Sequence, residues 1–413
     1  VWVGWNGSAG GSTTSFTADG IRAKPVILDE AEIVGHYDGF CNGTIWPLYH
    51  DAIRPLEFHR HWWRSHIEVS RRFATTVARA TGRDGLVWVH DYQLQLVPEM
   101  IRRRRPELRI GFFLHIPFPP VEIFERLPWR AEVLRGMLGA DYLGFQTRRA
   151  TLNFADAARE FAGATGPAGL LQVGEREIRA ETVPISIDVK EVRDVAAGRE
   201  AQDLASQMRR DLGSPEKVIL GVDRLDYTKG IDLRLRAFEV MLERHPEVLG
   251  RVSMVQIAVP SREDVEEYQV MRRLVEEAVG RINGRFERSG WTPVHYLYRN
   301  HPFPSLVAAY LTADVMLVTP LRDGMNLVAL EYVAARRDNS GVLILSEFAG
   351  ASERLGDAVV VNPYDVDGLA RALHVAVGMG REEQAGRMAR LRRAVGRWDV
   401  HSWARHNLEA IDR

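Results

Sequence analysis

Nine short apolar runs constrain this chain more than any other feature: LVWVHD (86–91), IGFFLHIP (110–117), DYLGFQT (141–147), VILGVDR (218–224), VSMVQIAVP (252–260), VHYLYRN (294–300), ADVMLVTP (313–320), GVLILSEF (341–348) and AVVVNP (358–363). Their apolar residues are consecutive rather than alternating, so the strands they form need cover on both faces. Stretches of helical period separate them. Strands covered on both faces and joined by helices give parallel sheets, and a doubly wound α/β architecture is expected. At 413 residues the chain exceeds one ordinary core and suits two domains of about 200 residues each. The most polar interval, 190–217, precedes fresh strand and helix alternation at Val218 and marks the junction. The expected domains are 1–200 and 201–395, with 396–413 left as a terminal helix.

Ligands of open parallel sheets bind beyond the carboxyl ends of the strands, where helix N-termini turn their N–H groups outward. Polar residues just after the runs are therefore the candidates: His90 and Asp91, His115, Asp223 and Arg224, Ser261 and Arg262, Arg299 and Asn300, Asp323, Ser346 and Glu347. Composition narrows the classes. Lys+Arg 54 against Asp+Glu 55 leaves a net charge of −1, without the basic footprint of a nucleic-acid binder. A single cysteine, Cys41, excludes an internal disulfide and a multi-cysteine zinc site, and fits a reducing cytoplasm. No run reaches the roughly 18 apolar residues of a membrane span. The opening VWVGWNG reads as a strand entering a turn, so the polypeptide is expected to begin inside a domain.

The segment PLRDGMNLVALEY (320–332) has a strand before it and a helix after it, which makes RDGMN the connecting turn. Free amides of Gly324, Met325, Asn326 and Leu327 would face an anion there. Glu331 is the one charged residue between Asp323 and Arg336, in a helix apolar nearly all round. A buried carboxylate needs a partner, either the backbone of another helix or a ligand hydroxyl, and the adjacent glycine turn favours the ligand. In VDRLDYTKGI, Arg224 and Lys229 flank a turn before a helix starting near Ile231. A guanidinium fork and an ammonium at one strand end suit the two phosphates of a nucleotide diphosphate. No G-x-G-x-x-G follows any run, which weakens a nicotinamide or flavin reading. His115 closes an apolar run and Asp91 stands at the matching position of the preceding one. The stretch TIWPLYHDAIRPLEFHRHWW, with Trp46, Tyr49, His50, Trp62 and Trp63, offers aromatic faces for sugar rings or cover for a core. His59 and His61 lack the spacing of a metal pair.

Together VHDYQL, RIGFFLHIPFP, LGFQT, DRLDYTKGI, PSREDVEEY, GRINGRF, WTPVHYLY, TPLRDGMNLVALEYVAAR and SEFAGAS resemble the retaining glycosyltransferase family of trehalose-6-phosphate synthases almost from end to end. The resemblance implies the GT-B fold, α/β with two Rossmann-like domains facing across a cleft, and makes RWDVHSWARHNLEAI a helix returning to the N-terminal domain. It implies glucose transfer from a nucleoside-diphosphate glucose to glucose 6-phosphate, by front-face substitution with no protein nucleophile, no cofactor and no metal. On that reading Arg224 and Lys229 grip the diphosphate with the backbone of 324–327, and Glu331 bonds the ribose. Asp323 and His115 hold the transferred glucose, Asp91 touches the acceptor sugar, and Arg262 and Trp63 help hold glucose 6-phosphate. Association with further copies of the chain is compatible with the sequence.

Two departures stand out. The family opens with an arginine-bearing strand and a glycine-rich loop, whereas this sequence starts at VWVGWNG. Asp51 replaces a tyrosine that some members carry, so acceptor recognition is expected to differ. Two other readings share the fold: a pseudo-glycosyltransferase coupling a nucleotide-activated cyclitol to an amino-cyclitol phosphate, and a catalytically silent sugar-phosphate sensor. Asp323, His115 and Asp91 favour an ordinary sugar over the first. Arg224, Lys229 and Glu331 argue against the second.

Overall fold

The computed structural model describes residues 1–51, 53–261 and 266–413. The chain forms two compact units, Val1–Pro184 with Ala404–Arg413, and Ile185–Trp403. All nine apolar runs are strands, and each pairs in parallel with its sheet neighbours.

In the first unit β1 (Trp2–Gly4), β2 (Phe16–Ala18) and β3 (Ile21–Pro25) form a small sheet of order β1-β3-β2. The main sheet has the order β4-β5-β6-β8-β7, from β4 (Leu86–His90), β5 (Arg109–Leu114), β6 (Tyr142–Phe145), β7 (Leu170–Val173) and β8 (Arg176–Thr182). The antiparallel β7–β8 pair is an edge hairpin. Along β8 buried and more exposed residues alternate, so the hairpin lacks the continuous apolar run that marks the other strands. The last helix, Val400–Asp412, contributes its residues from Ala404 onward to this unit. Ala410 and Ile411 pack on Tyr142, and a Cβ on Gly111 would collide with Ile411, so the glycine in RIGFF admits the helix to the sheet. Arg109 and Arg179 bond the carbonyls of Asp412 and Ala410, satisfying groups a helix end leaves open.

The second unit is a six-stranded parallel sheet built from β9 (Lys217–Arg224), β10 (Val252–Val259), β11 (Val294–Tyr298), β12 (Val315–Val318), β13 (Val342–Ser346) and β14 (Val359–Val361), in the order β11-β10-β9-β12-β13-β14. Val218, Leu220 and Val222 share one face with Met316, Val318, Leu343 and Leu345, and pack there against the helices Val189–Ala197, Phe303–Thr312, Leu327–Ala335 and Arg381–Gly396. The polar interval before β9 is helical, as Val189–Ala197 and Arg199–Asp211. From β9 the chain builds outward through β10 and β11, then returns to β9's other side with β12. That reversal leaves a crevice at the carboxyl ends of β9 and β12, where an open sheet of this kind binds its ligand. Among the described residues no helix is long and apolar enough to cross a membrane.

Candidate functional site

The crevice of the second unit lies where β9 and β12 end, beside Arg224 and Asp323. Arg224 is the last residue of β9 and is exposed. The loop after it is held by the fully buried Asp226, whose carboxylate accepts from Thr228 N (2.9 Å), Thr228 Oγ1 (2.8 Å) and Tyr268 Oη (3.0 Å). Gly230 ends the loop at φ 62°, and a Cβ there would lie 2.9 Å from the Thr319 carbonyl, so a glycine is required. Lys229, almost wholly buried, donates from Nζ to Asp323 Oδ2 at 2.7 Å. This bond joins the loop after β9 to the loop after β12, as does Leu321 N to the Thr228 carbonyl at 2.7 Å.

In the turn 322–326 the left-handed residue is Asn326 (φ 80°). Asparagine tolerates that region because its short amide bonds locally. Asn326 Nδ2 donates to Asp323 Oδ2 (3.1 Å), and its Oδ1 accepts from Ala329 N (3.4 Å), capping the helix Leu327–Ala335. The turn is tied from behind to SEFAGAS, through Asp323 N to Phe348 O (3.1 Å), Gly350 N to Asp323 O (3.2 Å) and Ala351 N to Met325 O (2.9 Å). The ammonium of Lys229 and the amino end of a helix thus occupy one crevice, a positive setting for an anion.

Glu331 lies one turn into that helix, and Tyr310 Oη of the helix Phe303–Thr312 donates to its Oε2 at 2.7 Å. The partner is a side chain of another helix, where a backbone group or a ligand was anticipated. Burial raises the Glu331 carboxyl above its ordinary range, and the Tyr310 bond opposes the rise.

Beneath the crevice is an ion pair that sequence reasoning missed. Arg234, fully buried, donates to Asp223 Oδ2 (2.5 Å), Gln256 Oε1 (3.0 Å), Thr319 Oγ1 (3.1 Å) and the Lys229 carbonyl (3.4 Å). Burial pushes the Asp223 carboxyl up, and Arg234 opposes it. A signal existed: Arg234 falls on the same helical face as Ile231, Leu235 and Phe238, all buried.

In the first unit the ends of β4 and β5 bring Asp91, His90 and His115 together. Asp91 adopts φ 72°, its N–H donates to Phe113 O (2.8 Å), and its Oδ1 accepts from His115 N (3.1 Å). His90 Nδ1 and His115 Nε2 are 3.1 Å apart. Burial lowers both imidazoles to about 4, so both are neutral near pH 7. Trp63 is buried in the same unit, stacked on Trp129 (5.0 Å, 11°) and packed against Phe40 and His66. Arg262 lies outside the described residues.

Two parallel-sheet α/β units, one with cations and a helix amino end at its switch point, are the build of a GT-B glycosyltransferase, and solved structures of that build superimpose closely on this chain. The chain belongs to glycosyltransferase family 20, whose sequence profile matches residues 1–413. Trehalose-6-phosphate synthase of Mycolicibacterium smegmatis (strain ATCC 700084 / mc(2)155) is 48% identical over 419 residues, 99% of this chain and 83% of the relative. A structure of the E. coli protein described as bound with UDP-2-fluoro glucose superimposes with a TM-score of 0.95 at 37% identity, over 100% of this chain and 92% of that one. An α,α-trehalose-phosphate synthase (UDP-forming) from Burkholderia xenovorans, solved in complex with glucose-6-phosphate, gives 0.95 at 36% identity, over 100% and 93%.

Proposed function

We propose that this chain transfers glucose, with retention, from a nucleoside-diphosphate glucose to glucose 6-phosphate, giving α,α-trehalose 6-phosphate. The observation that carries the reading is the Lys229–Asp323 pair at the switch point, beside the amino end of the helix Leu327–Ala335. It supports a cation facing the departing diphosphate and a carboxylate accepting from sugar hydroxyls.

Departure of the diphosphate builds negative charge on the leaving oxygen. Arg224, Lys229 and the amides of Gly324 to Leu327 stabilise it, and fixed charges in a poorly hydrated crevice are the strongest means of doing so. The same cations take the part a divalent metal plays in other phosphate chemistry, so the transfer is proposed to need neither metal nor cofactor. The leaving oxygen accepts the proton of the attacking acceptor hydroxyl on the same face, which requires positioning rather than a protein nucleophile. Asp323 accepts from hydroxyls of the transferred glucose. Glu331, steadied by Tyr310, accepts from the ribose. Asp91 and the neutral His115 serve the acceptor and the transferred sugar, and Arg262 the acceptor phosphate. An uncharged imidazole suits that place because it can both donate and accept.

The test is mass spectrometry of the full-length protein with glucose 6-phosphate and, separately, uridine, guanosine or adenosine diphosphate glucose. A disaccharide phosphate is expected with at least one donor. Its absence with all three, while nucleotide binding is intact by calorimetry, would overturn the reading in favour of cyclitol coupling.

A further inference from the structure

Away from the strand ends, the first unit brings its single cysteine between two buried histidines. His36 and Cys41 lie on the segment Ile33–Ile45, a π-helix, whose i to i+5 hydrogen bonding sets residues five apart on adjacent turns of one side. His66 comes from the long helix Arg60–Ala80. That helix approaches closely because the π-helix offers glycines: a Cβ on Gly35 would strike Ser65, and one on Gly39 would lie 2.5 Å from the Trp62 ring.

Nδ1 of His36 and Nδ1 of His66 are 2.9 Å apart, and Cys41 Sγ lies 3.8 Å from the first and 3.9 Å from the second. The sulfur also lies 4.0 Å from His36 Nε2, beside that ring. The point equidistant from the three atoms is about 2.1 Å from each, matching a metal–imidazole bond of about 2.0–2.1 Å and near a zinc–thiolate bond of about 2.3 Å. His36 is 3% exposed, His66 and Cys41 0%. We propose that His36, Cys41 and His66 form a buried binding site for a closed-shell transition-metal ion, zinc(II) or copper(I). Both ions favour a thiolate with imidazoles.

Supporting chemistry agrees with the geometry. Without an ion the two Nδ1 atoms share one hydrogen bond, and the ion would take the place of its proton. Glu32, the carboxylate whose charge acts on His36, is committed to Arg72 (2.7 Å) and to Asp29 N (3.1 Å). Binding releases the Cys41 proton, and the thiolate offsets one positive charge of the ion. The ion would clamp the π-helix to the helix Arg60–Ala80, a structural role separate from glucosyl transfer.

The test uses tag-free full-length protein, produced with added zinc or, anaerobically, with copper(I), then desalted in excess magnesium and assayed for metal content. About one tightly held ion per chain is expected, lost in Cys41→Ser and kept in His374→Ala. The latter controls for a surface group of His245, Glu247 and His374, whose ligand atoms also lie within 4.8 Å of one another. Should Cys41→Ser fail to fold, the wild-type protein loaded with cobalt(II) is expected to show a thiolate-to-cobalt charge-transfer band. Absence of stoichiometric zinc and copper, equal metal in Cys41→Ser, or a cobalt spectrum without that band would overturn the proposal.

Discussion

Replacing Arg234 with methionine tests whether the pair beneath the crevice holds the site together. The guanidinium is fully buried and makes four hydrogen bonds, to Asp223, Gln256, Thr319 and the Lys229 carbonyl. Methionine fills much of the volume but leaves Asp223, 6% exposed, without its cation. Breaking a buried pair from one side costs about 3–5 kcal/mol. For a unit the size of Ile185–Trp403 each kcal/mol moves Tm by about 2–4 °C, so a fall of about 6–20 °C is expected. The penalty has a pH signature. With Arg234 gone, burial loses its main opponent, only the weaker pull of Lys229 remaining, and the native pKa of Asp223 rises further. The native state then binds a proton the unfolded chain releases, so stability falls as pH rises from about 3.9, the ordinary aspartate value, toward the raised one. The defect should be smallest in acid. Asp223→Asn added to Arg234→Met removes the stranded charge and should recover most of the loss. Thermal unfolding across pH measures both effects. A single variant within about 1 kcal/mol of wild type, or a double variant no better than the single, would refute the reasoning.

Other perturbations separate ligand roles from packing. Lys229→Ala should lower turnover by about a hundredfold or more, the usual scale for one charge-stabilising group; near-normal kcat would remove Lys229 from the diphosphate grip. Glu331→Ala should weaken nucleotide binding by about 1.5–3 kcal/mol, the worth of a hydrogen bond to a charged group. Unchanged affinity with a lower Tm would assign Glu331 to its bond with Tyr310 instead. His90 and His115 sit at about 4, below the unfolded value near 6.5, so the unfolded chain binds protons first on acidification. The stability tied to their neutral form is complete above about 6.5 and is lost as pH falls toward 4. His90→Asn should flatten that acid limb, and an unchanged pH dependence of Tm would contradict the assignment.

What the sequence reveals is set by what a linear pattern encodes. Strands covered on both faces must be apolar at consecutive positions, so the nine parallel strands were visible, and with them the strand ends where Asp91, His115, Arg224 and Asp323 stand. The β7–β8 hairpin carries alternation at a sheet edge and was not seen. Pairing between loops is tertiary. Nothing near Lys229 names Asp323 as its partner, because the strand order that makes β9 and β12 neighbours is not written locally. The carboxylate demanding a partner at Glu331 was legible, but Tyr310 was not. Trp63 shows the same limit: an aromatic beside histidines reads alike as a sugar platform and as core, and only its stack on Trp129 shows its surroundings.

The Lys229–Asp323 bond gives the proposed transfer an order of events. The ammonium and carboxylate, 9% and 16% exposed, satisfy each other, and neither is left as a costly unpaired charge. A diphosphate brings more negative charge than Asp323 and can take over Lys229, with Arg224 and the helix amides beside it. The carboxylate, still held by Asn326 Nδ2, must then find new donors, and on the proposed reading the hydroxyls of the glucose attached to that diphosphate supply them. Binding the leaving group and grasping the sugar are one exchange rather than two independent contacts. A free sugar would have to break the ion pair without offering Lys229 another anion. The arrangement therefore favours the activated sugar over its parts, and the stabilised charge is the one that grows as the bond breaks.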